Sequence, residues 1–377
     1  MIELKLFDVN RDCRFTLKAQ EIDTVYEGEY REGDTWQVQV PENSLVSMQL
    51  DECLAESVVY LADGSFRFEI PFGYPRAAGY GKEAFSGESH KVCVRVLEDE
   101  EAFAYRNVAL NAHDRHGAQK GFPHATANFV TREDPCFFER NAIDGHTENV
   151  GHGSFPFHSW AGGAREDLEF SINFGRPIKT DKIVFYLRAD FPHDTYWKSI
   201  DVRFSDGSVE RAQFEMTEKG QVLTFPEKVT TTIELFDFKQ ISYPLSWAAL
   251  SQIEVWGAYL KEENETMEVR QAANAKDVRY YDTERLREEF HIKNLFTKDN
   301  IRMVYSHIDR IITAGLMPVF QTLKLEAGKE LAADYFLQRR EMGCINIGGK
   351  GIITVDGVEY EMNPRDGMYI GMGNKEV

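Results

Sequence analysis

The sequence is short of positive charge and of long hydrophobic runs. Its 377 residues include 43 Lys and Arg against 62 Asp and Glu, which gives a formal net charge of −19. Phosphates are bound mainly by Lys and Arg, so this balance disfavours nucleic-acid partners and anionic membrane surfaces. The apolar stretch 311–320 contains Gly315 and Pro318 and falls well below the ~18 residues that a membrane-spanning helix needs. We therefore predict neither a nucleic-acid partner nor a membrane span.

Cysteine is scarce as well. The chain has five cysteines, an odd number at wide spacings without a Cys-x-x-Cys pair, which argues against a disulfide framework or a zinc knuckle. Residues 1–8 (MIELKLFD) have neither the basic flank nor the long apolar core of a signal peptide. These absences predict a reduced, cytoplasmic protein.

Tight-turn chemistry dominates what is present. Several Asp-Gly pairs stand between alternating polar and apolar runs, which is the strongest short-range signal for a β-hairpin. Helical periodicity is nearly absent apart from 284–290, for which Thr283 is available as the N-cap. With 42% hydrophobic residues, the chain can fill real cores. The sequence predicts an all-β protein. The Asp-Gly pairs lie at 63–64, 144–145, 206–207, 356–357 and 366–367.

Charge composition suggests where the domains meet. The run 261–266 (KEENET) has no apolar residue, which is typical of a linker, and a weaker acidic patch lies at 98–101. We predict domains at 1–104, 105–260 and 267–377.

The first predicted domain has short alternating strands typical of a small β-sandwich. Its segment 71–76 (PFGYPR) is either an aromatic binding loop or a Pro/Gly turn with core aromatics. The second interpretation is favoured, because turn residues and buried aromatics are common.

An ordered series of short motifs runs through 106–257. They are RNVALN at 106–111, ATAN at 125–128, NAIDG at 141–145, SW at 159–160, LEFSINFG at 168–175, SDGS at 205–208 and QIEVWG at 252–257. Together they resemble the discoidin-like (factor 5/8 C-type) galactose-binding jelly roll. The resemblance implies a structural calcium held by Asp144 and Glu254, with Thr147 as a further donor and loop carbonyls completing six to eight ligands. The alternative is that Asp144 only makes an Asx turn and Glu254 is solvated.

The same segment has a polar and aromatic cluster with the composition of a sugar site. Aromatic faces stack on a pyranose ring, while Asp, His and Arg hydrogen-bond its hydroxyls or pair with a uronate carboxylate. The predicted carbohydrate-binding residues are Arg188, Asp190, His193, Asp194, Tyr196 and Trp197.

Three histidines, His146, His152 and His158, follow one another at six-residue spacing in a Gly/Ser/Pro-rich loop. They lack the His-x-His or i, i+4 spacing that fixes metal-ligand geometry. The sequence therefore favours a hydrogen-bonding loop over a zinc site.

A longer set of matches begins at Met267. It comprises MVYSHIDRII at 303–312, YFLQRREMG at 335–343, INIGG at 345–349, GIITVDG at 351–357 and GMGNKEV at 371–377. With these runs, 267–377 resembles the N-terminal half of the 5-keto-4-deoxyuronate isomerase family (4-deoxy-L-threo-5-hexosulose-uronate ketol-isomerase). The resemblance implies half of a bicupin, a cupin-type β-barrel, a uronate substrate from pectin or glycosaminoglycan breakdown, and a homo-oligomer. Met267 lies where the family's start methionine would be, which predicts a gene fusion or a fragment.

The chain differs from that family at the expected zinc site. The family's His/His/Glu/His ligands lie in the second cupin, and the only histidines between 267 and 377 are His291 and His307. The zinc ligands are therefore absent from this chain, and we predict that the chain alone is inactive as an isomerase. The remaining catalytic candidates are His307 and Asp309, two apart on one face of a predicted strand, and the charged group Arg339, Arg340 and Glu341. For both groups a structural role is favoured over a catalytic one.

Three functions remain open. The first is an isomerase-family protein with a fused carbohydrate-binding module. The second is a non-enzymatic carbohydrate-binding protein whose isomerase fragment serves oligomerisation. The third gives 1–260 its own activity on a glycan through His152, His193 and Asp194.

Overall fold

The protein is described here by a computed structural model that covers residues 1–117, 120–190, 195–241, 247–261, 267–293 and 295–377. The chain divides into two compact units, Met1–Lys261 and Glu262–Val377. Among the described residues, no helix is long and apolar enough to cross a membrane.

Sixteen described strands build the first unit. They are β1 (Ile2–Phe7), β2 (Cys13–Ala19), β3 (Glu21–Glu27), β4 (Thr35–Gln39), β5 (Ser44–Gln49), β6 (Ser57–Leu61), β7 (Ser65–Glu69), β8 (Ser89–Val96), β9 (Arg106–Asn107), β10 (Gly121–Phe122), β11 (His124–Ala127), β12 (Phe170–Leu187), β13 (Trp197–Phe204), β14 (Val209–Gln213), β15 (Gln221–Gln240) and β16 (Leu250–Tyr259). Helical turns are short. They comprise α1 (Gly73–Gly79), α2 (Asp99–Ala102) and the 3₁₀ turns Thr131–Glu133, Pro135–Phe137 and Glu139–Ala142.

Two sheets occupy the N-terminal part of this unit. One has the order β2-β1-β4-β7 and the other the order β10-β6-β5-β8-β3. Alternation sets their inner faces: in β7, Phe66 and Phe68 are buried while Arg67 and Glu69 face solvent. Strand β10 comes from beyond residue 104, yet it pairs with β6. The two parts of the first unit therefore share a sheet, and a domain boundary at residues 104/105 stays a prediction.

A larger antiparallel sheet completes the first unit, with the order β14-β13-β15-β12-β16-β9 and β11 paired to β12. Its core is rich in fully buried aromatics, among them Trp160, Trp197 and Phe185. The long strands β12 and β15 pair along most of their length, with register shifts between Asn173 and Ile178 and between Thr180 and Lys182. Such irregularities bend a sheet of this length.

The second unit is a smaller β structure. Its strands are β17 (Met267–Arg270), β18 (Ile301–Ser306), β19 (Ile311–Leu316), β20 (Met342–Ile345), β21 (Gly351–Val355), β22 (Val358–Met362) and β23 (Gly367–Ile370). They form the sheet β17-β18-β19 and the pairs β20-β23 and β21-β22. Its helices are α3 (Ala275–Val278), α4 (Thr283–Phe290) and α5 (Gly328–Leu331).

The prediction of an all-β chain is confirmed, since the described helices are few and short. The predicted hairpin around Asp356-Gly357 is confirmed by the pairing of β21 with β22. Helix α4 also forms where predicted, but its N-cap is Asp282, whose side chain accepts the backbone N–H of Arg285. The cupin-type barrel stays a prediction.

Candidate functional site

A buried ion group lies at the Asp144-Gly145 turn. Asp144 is 2% exposed, and its Oδ2 is hydrogen-bonded to His158 Nε2 at 2.6 Å and lies 3.6 Å from Arg140 Nη2. Its Oδ1 accepts the backbone N–H of His146. Gly145 has φ +97°, a conformation that favours glycine. The Asp-Gly pair thus makes a turn whose carboxylate is held by buried partners.

Electrostatics keep Asp144 and Arg140 charged. Desolvation opposes ionisation of Asp144, but His158 and Arg140 outweigh it and hold the pKa of the carboxyl below its ordinary value. Desolvation likewise opposes the charge of Arg140, and the neighbouring Tyr80 and Asp144 raise its pKa nonetheless. The guanidinium lies 4.6 Å from the centroid of the Tyr80 ring, and its Nε donates to the carbonyl of Asp114. Arg140 is therefore fixed as a cation.

An open cleft of about 570 Å³ adjoins this ion group. Tyr80 and Phe155 line both the cleft and a narrow pocket that reaches Arg140 and Asp144. The volume lies in the range of small-molecule sites. The other side chains along its wall are Phe72, Arg76, Ala77 and Lys82.

The cleft combines aromatic walls with positive charge. Arg76 belongs to the last turn of α1 and is half-buried, while Lys82 is exposed. Aromatic rings offer faces to the C–H groups of a sugar, and a guanidinium pairs with a carboxylate through two parallel hydrogen bonds. The arrangement therefore suits a small ligand with an apolar face and an anionic group.

The predicted carbohydrate-binding residues are only partly brought together. Arg188 Nε lies 2.8 Å from Asp190 Oδ1, and both residues are buried. His152 pairs with the other oxygen of Asp190. His193 and Asp194 lie outside the described residues.

The prediction that Trp197 stacks on a sugar is corrected by its burial. Trp197 is fully buried, with its ring 4.9 Å from that of Phe238 and 6.0 Å from that of Trp160. It is a core residue and offers no face to a ligand. Tyr196 is half-buried against the same core. The exposed tryptophan in this region is Trp247, whose backbone N–H donates to Thr195.

The three loop histidines do not converge on a metal. His158 bonds to Asp144 and His152 bonds to Asp190, so these two histidines pair with different carboxylates. The ring of His146 packs edge-on against Phe155.

The predicted calcium donors do not fit a calcium ion. The carboxylate of Asp144 is already held by a histidine and an arginine, and a calcium shell has no place for the guanidinium. Glu254 accepts from the indole N–H of Trp256, and Thr147 is half-buried. The residue of β16 that contacts the turn is Gln252, whose Oε1 accepts the N–H of Gly145.

In the second unit, His307 and Asp309 do not lie on a strand. Both are exposed in the turn between β18 and β19, where Asp309 has φ +58°, so the predicted shared strand face is wrong. Arg339 and Arg340 precede β20, and Glu341 accepts a hydrogen bond from Tyr369. Because 267–377 contains only two histidines, the residues present do not fit the family's zinc site.

Sequence reasoning missed Arg140, Tyr80 and Phe155. The segment 71–76 carries part of the signal, because its Phe72 and Arg76 line the wall of the cleft. The missing part is the contact of α1 with Phe155, whose backbone N–H donates to the carbonyl of Ala78 and which is distant from it in the sequence.

Part of the chain is strongly similar in sequence to known proteins. The ketol-isomerase of Lachnoclostridium phytofermentans, named 4-deoxy-L-threo-5-hexosulose-uronate ketol-isomerase, is 65% identical over 111 residues, 29% of this chain and 40% of the relative. That of Lachnospira eligens is 63% identical over 111 residues, and that of Escherichia coli 52% over 113 residues. The chain thus spans about 40% of the length of the curated relatives it matches. No protein-family model matches the chain.

Solved structures similar to part of the chain are carbohydrate-binding modules. A chitosan-binding module from Paenibacillus sp. IK-5 is 17% identical, with a TM-score of 0.28, and covers 41% of this chain and all of that one. The lectin domain of lectinolysin, complexed with Lewis B antigen, is 13% identical with a TM-score of 0.30, over 40% of this chain and 95% of that one. At such scores, a ligand for this chain has to be argued from its own residues.

Proposed function

We propose that residues 1–261 bind an acidic sugar in the cleft between α1 and Phe155, and that 267–377 contributes to a 4-deoxy-L-threo-5-hexosulose-uronate ketol-isomerase. The observation that carries the first part is the placing of Arg76 and Lys82 in an aromatic-walled cleft. The chain has a net charge of −19 and repels anions as a whole. Two cations in one concave site therefore favour a ligand that carries negative charge.

The second part is supported by the 65% identity with a ketol-isomerase over 111 residues. This is the length of 267–377, the segment whose motifs resemble that family. An acidic sugar in the cleft and a keto-deoxyuronate isomerase segment belong to the same chemistry, the uptake and conversion of uronates. We therefore propose uronate-containing saccharides as the ligand class.

Calorimetric titration of the full chain with oligogalacturonate tests the binding site. We expect Arg76→Gln to weaken binding about tenfold, because a charge-assisted hydrogen bond contributes ~1.5 kcal/mol or more. Tyr80→Ala is expected to weaken the binding of oligogalacturonate and of a neutral galactose oligomer to the same extent, because ring stacking does not depend on the ligand's carboxylate.

Arg67→Gln is the matched control, because Arg67 is an exposed arginine on β7 outside the cleft. Binding that is unaffected by Arg76→Gln but lost in Trp247→Ala would place the sugar beside Thr195 and refute the cleft.

The isomerase part is tested by turnover of the keto-deoxyuronate. We expect none from the 377-residue chain, because the zinc ligands of the family are absent from it. Robust turnover by the purified chain would contradict this.

A second function, carbohydrate binding without catalysis, is favoured by the surface of 267–377. Ile345 and Ile347 of this unit are more than two-thirds exposed, and such apolar surface is typical of an association face. In this alternative the isomerase segment serves only to join copies of the chain.

A further inference from the structure

Asp51, Glu52 and His90 form a compact group in the N-terminal sheets, and none of the three lines the cleft. Their donor atoms all lie within 4.8 Å of one another. Asp51 and Glu52 follow β5 after one intervening residue, Leu50, and His90 is the second residue of β8. The antiparallel register pairs Gln49 with Cys93. The end of one strand therefore faces the start of its neighbour.

The histidine is oriented as a metal ligand would be. His90 is 1% exposed, and its Nε2 lies 3.2 Å from the carbonyl of Gly87. If Nε2 donates to that carbonyl, it carries the proton and Nδ1 keeps a lone pair. In most metal-binding histidines one ring nitrogen donates in this way while the other binds the metal. The Tyr30 ring, with its centroid 4.1 Å from that of His90, holds the imidazole in place.

The lone pair of His90 Nδ1 has no hydrogen-bond partner in the described structure, although it is buried. It faces Asp51 Oδ2 at 3.7 Å, too far for a hydrogen bond. Two acceptors that face each other in a buried place repel unless a cation lies between them. This orphaned nitrogen points to a ligand.

The two carboxylates have capacity left to bind such a cation. Asp51 accepts the backbone N–H groups of Cys53 and Phe85, one on each oxygen. Glu52, which is exposed, accepts the N–H of Lys91. Each carboxylate offers about four acceptor positions, so these bonds fix the groups in space without filling them.

We propose that Asp51, Glu52 and His90 bind one divalent transition-metal ion, which clamps the end of β5 to the start of β8. One imidazole nitrogen and two carboxylate oxygens suit zinc or a similar ion better than calcium, which takes oxygen ligands only. The exposed Glu52 leaves a route by which the ion enters and a position for water.

Zinc chloride is the probe. The full chain, without an affinity tag and stripped with a chelator, is titrated by calorimetry, and its thermal unfolding is followed with and without zinc. We expect one tight site per chain and a higher unfolding temperature with zinc. We expect Glu52→Gln and His90→Gln each to weaken zinc binding at least tenfold and to abolish the rise in unfolding temperature. Calcium at the same concentration is expected to give no shift.

Glu88→Gln is the matched control, because Glu88 is exposed and two residues from His90. Should His90→Gln fail to fold, Glu52→Gln decides alone, since an exposed side chain is replaced. The proposal is overturned if the chain binds no zinc, or if Glu52→Gln binds it as tightly as the unaltered chain. The first result would show that the group holds no metal, and the second that the zinc binds without Glu52.

Discussion

At the residue scale, the first unit depends on buried polar side chains. His113 is fully buried, its Nε2 accepts the backbone N–H of Leu50, and burial lowers its pKa to about 3. Asp114 beside it bonds to His124 at 2.7 Å. Such groups stabilise a fold only in one protonation state, so they make its stability depend on pH.

His113 gives a signed pH prediction. Its folded pKa lies below the ~6.5 of an unfolded histidine, so the unfolded chain binds the proton first as the pH falls. Stabilisation is complete above pH 6.5 and is lost toward pH 3. We expect a slope of up to ~1.4 kcal/mol per pH unit in the unfolding free energy, which His113→Gln removes. Denaturant unfolding between pH 4.5 and 6.5 measures it.

His291→Gln is the control, since His291 is exposed. An unchanged slope in His113→Gln would show that His113 does not stay neutral in the folded chain.

At the element scale, the tight turns depend on the backbone conformation of one or two residues. In the β21–β22 hairpin, Asp356 has φ +47° and Gly357 φ +83°, as a two-residue turn of this kind requires. A Cβ on Gly357 would meet nothing within 4 Å. Any effect of Gly357→Ala therefore comes from the backbone alone.

We expect Gly357→Ala to destabilise this hairpin by ~1 to 2 kcal/mol, the difference for an L-residue in the left-handed region. Hydrogen exchange of the β21 and β22 amides should quicken five- to thirtyfold. Gly349→Ala is the control, because Gly349 has open space and no left-handed φ. Equal exchange in both variants would contradict the prediction.

The sequence predicts those features of the structure that depend on contacts between near neighbours in the chain. The Asp356-Gly357 hairpin and helix α4 were predicted because turn and cap chemistry act within a few residues. The sequence predicts Trp197 wrongly as a sugar-binding residue, because its burial depends on Trp160 and Phe238, which are distant in the chain. The sequence predicts a strand at His307 and Asp309, because no neighbouring residue signals the positive φ of Asp309.

At the scale of the whole molecule, the two units differ in how well they cover their apolar residues. The first has two extensive cores, while the core of the second is small. Phe320, Ile345 and Ile347 of the second unit are 79%, 74% and 71% exposed. Surface of this kind is stabilised by association.

We expect the chain to form homo-oligomers through 267–377. Replacing Ile345 and Ile347 together by Asp should shift the species seen in sedimentation velocity to the monomer. Val222→Asp, a change at an exposed apolar residue of β15, should not. A monomeric unaltered chain at tens of micromolar would refute the expectation.

The pairing of β10 with β6 has a practical consequence for anyone who joins the proposed sugar-binding part to another protein. A fragment that ends at residue 104 would lose the strand Gly121–Phe122. The edge of β6 would then be unpaired and exposed, which favours aggregation. The portable module is therefore the whole of residues 1–261.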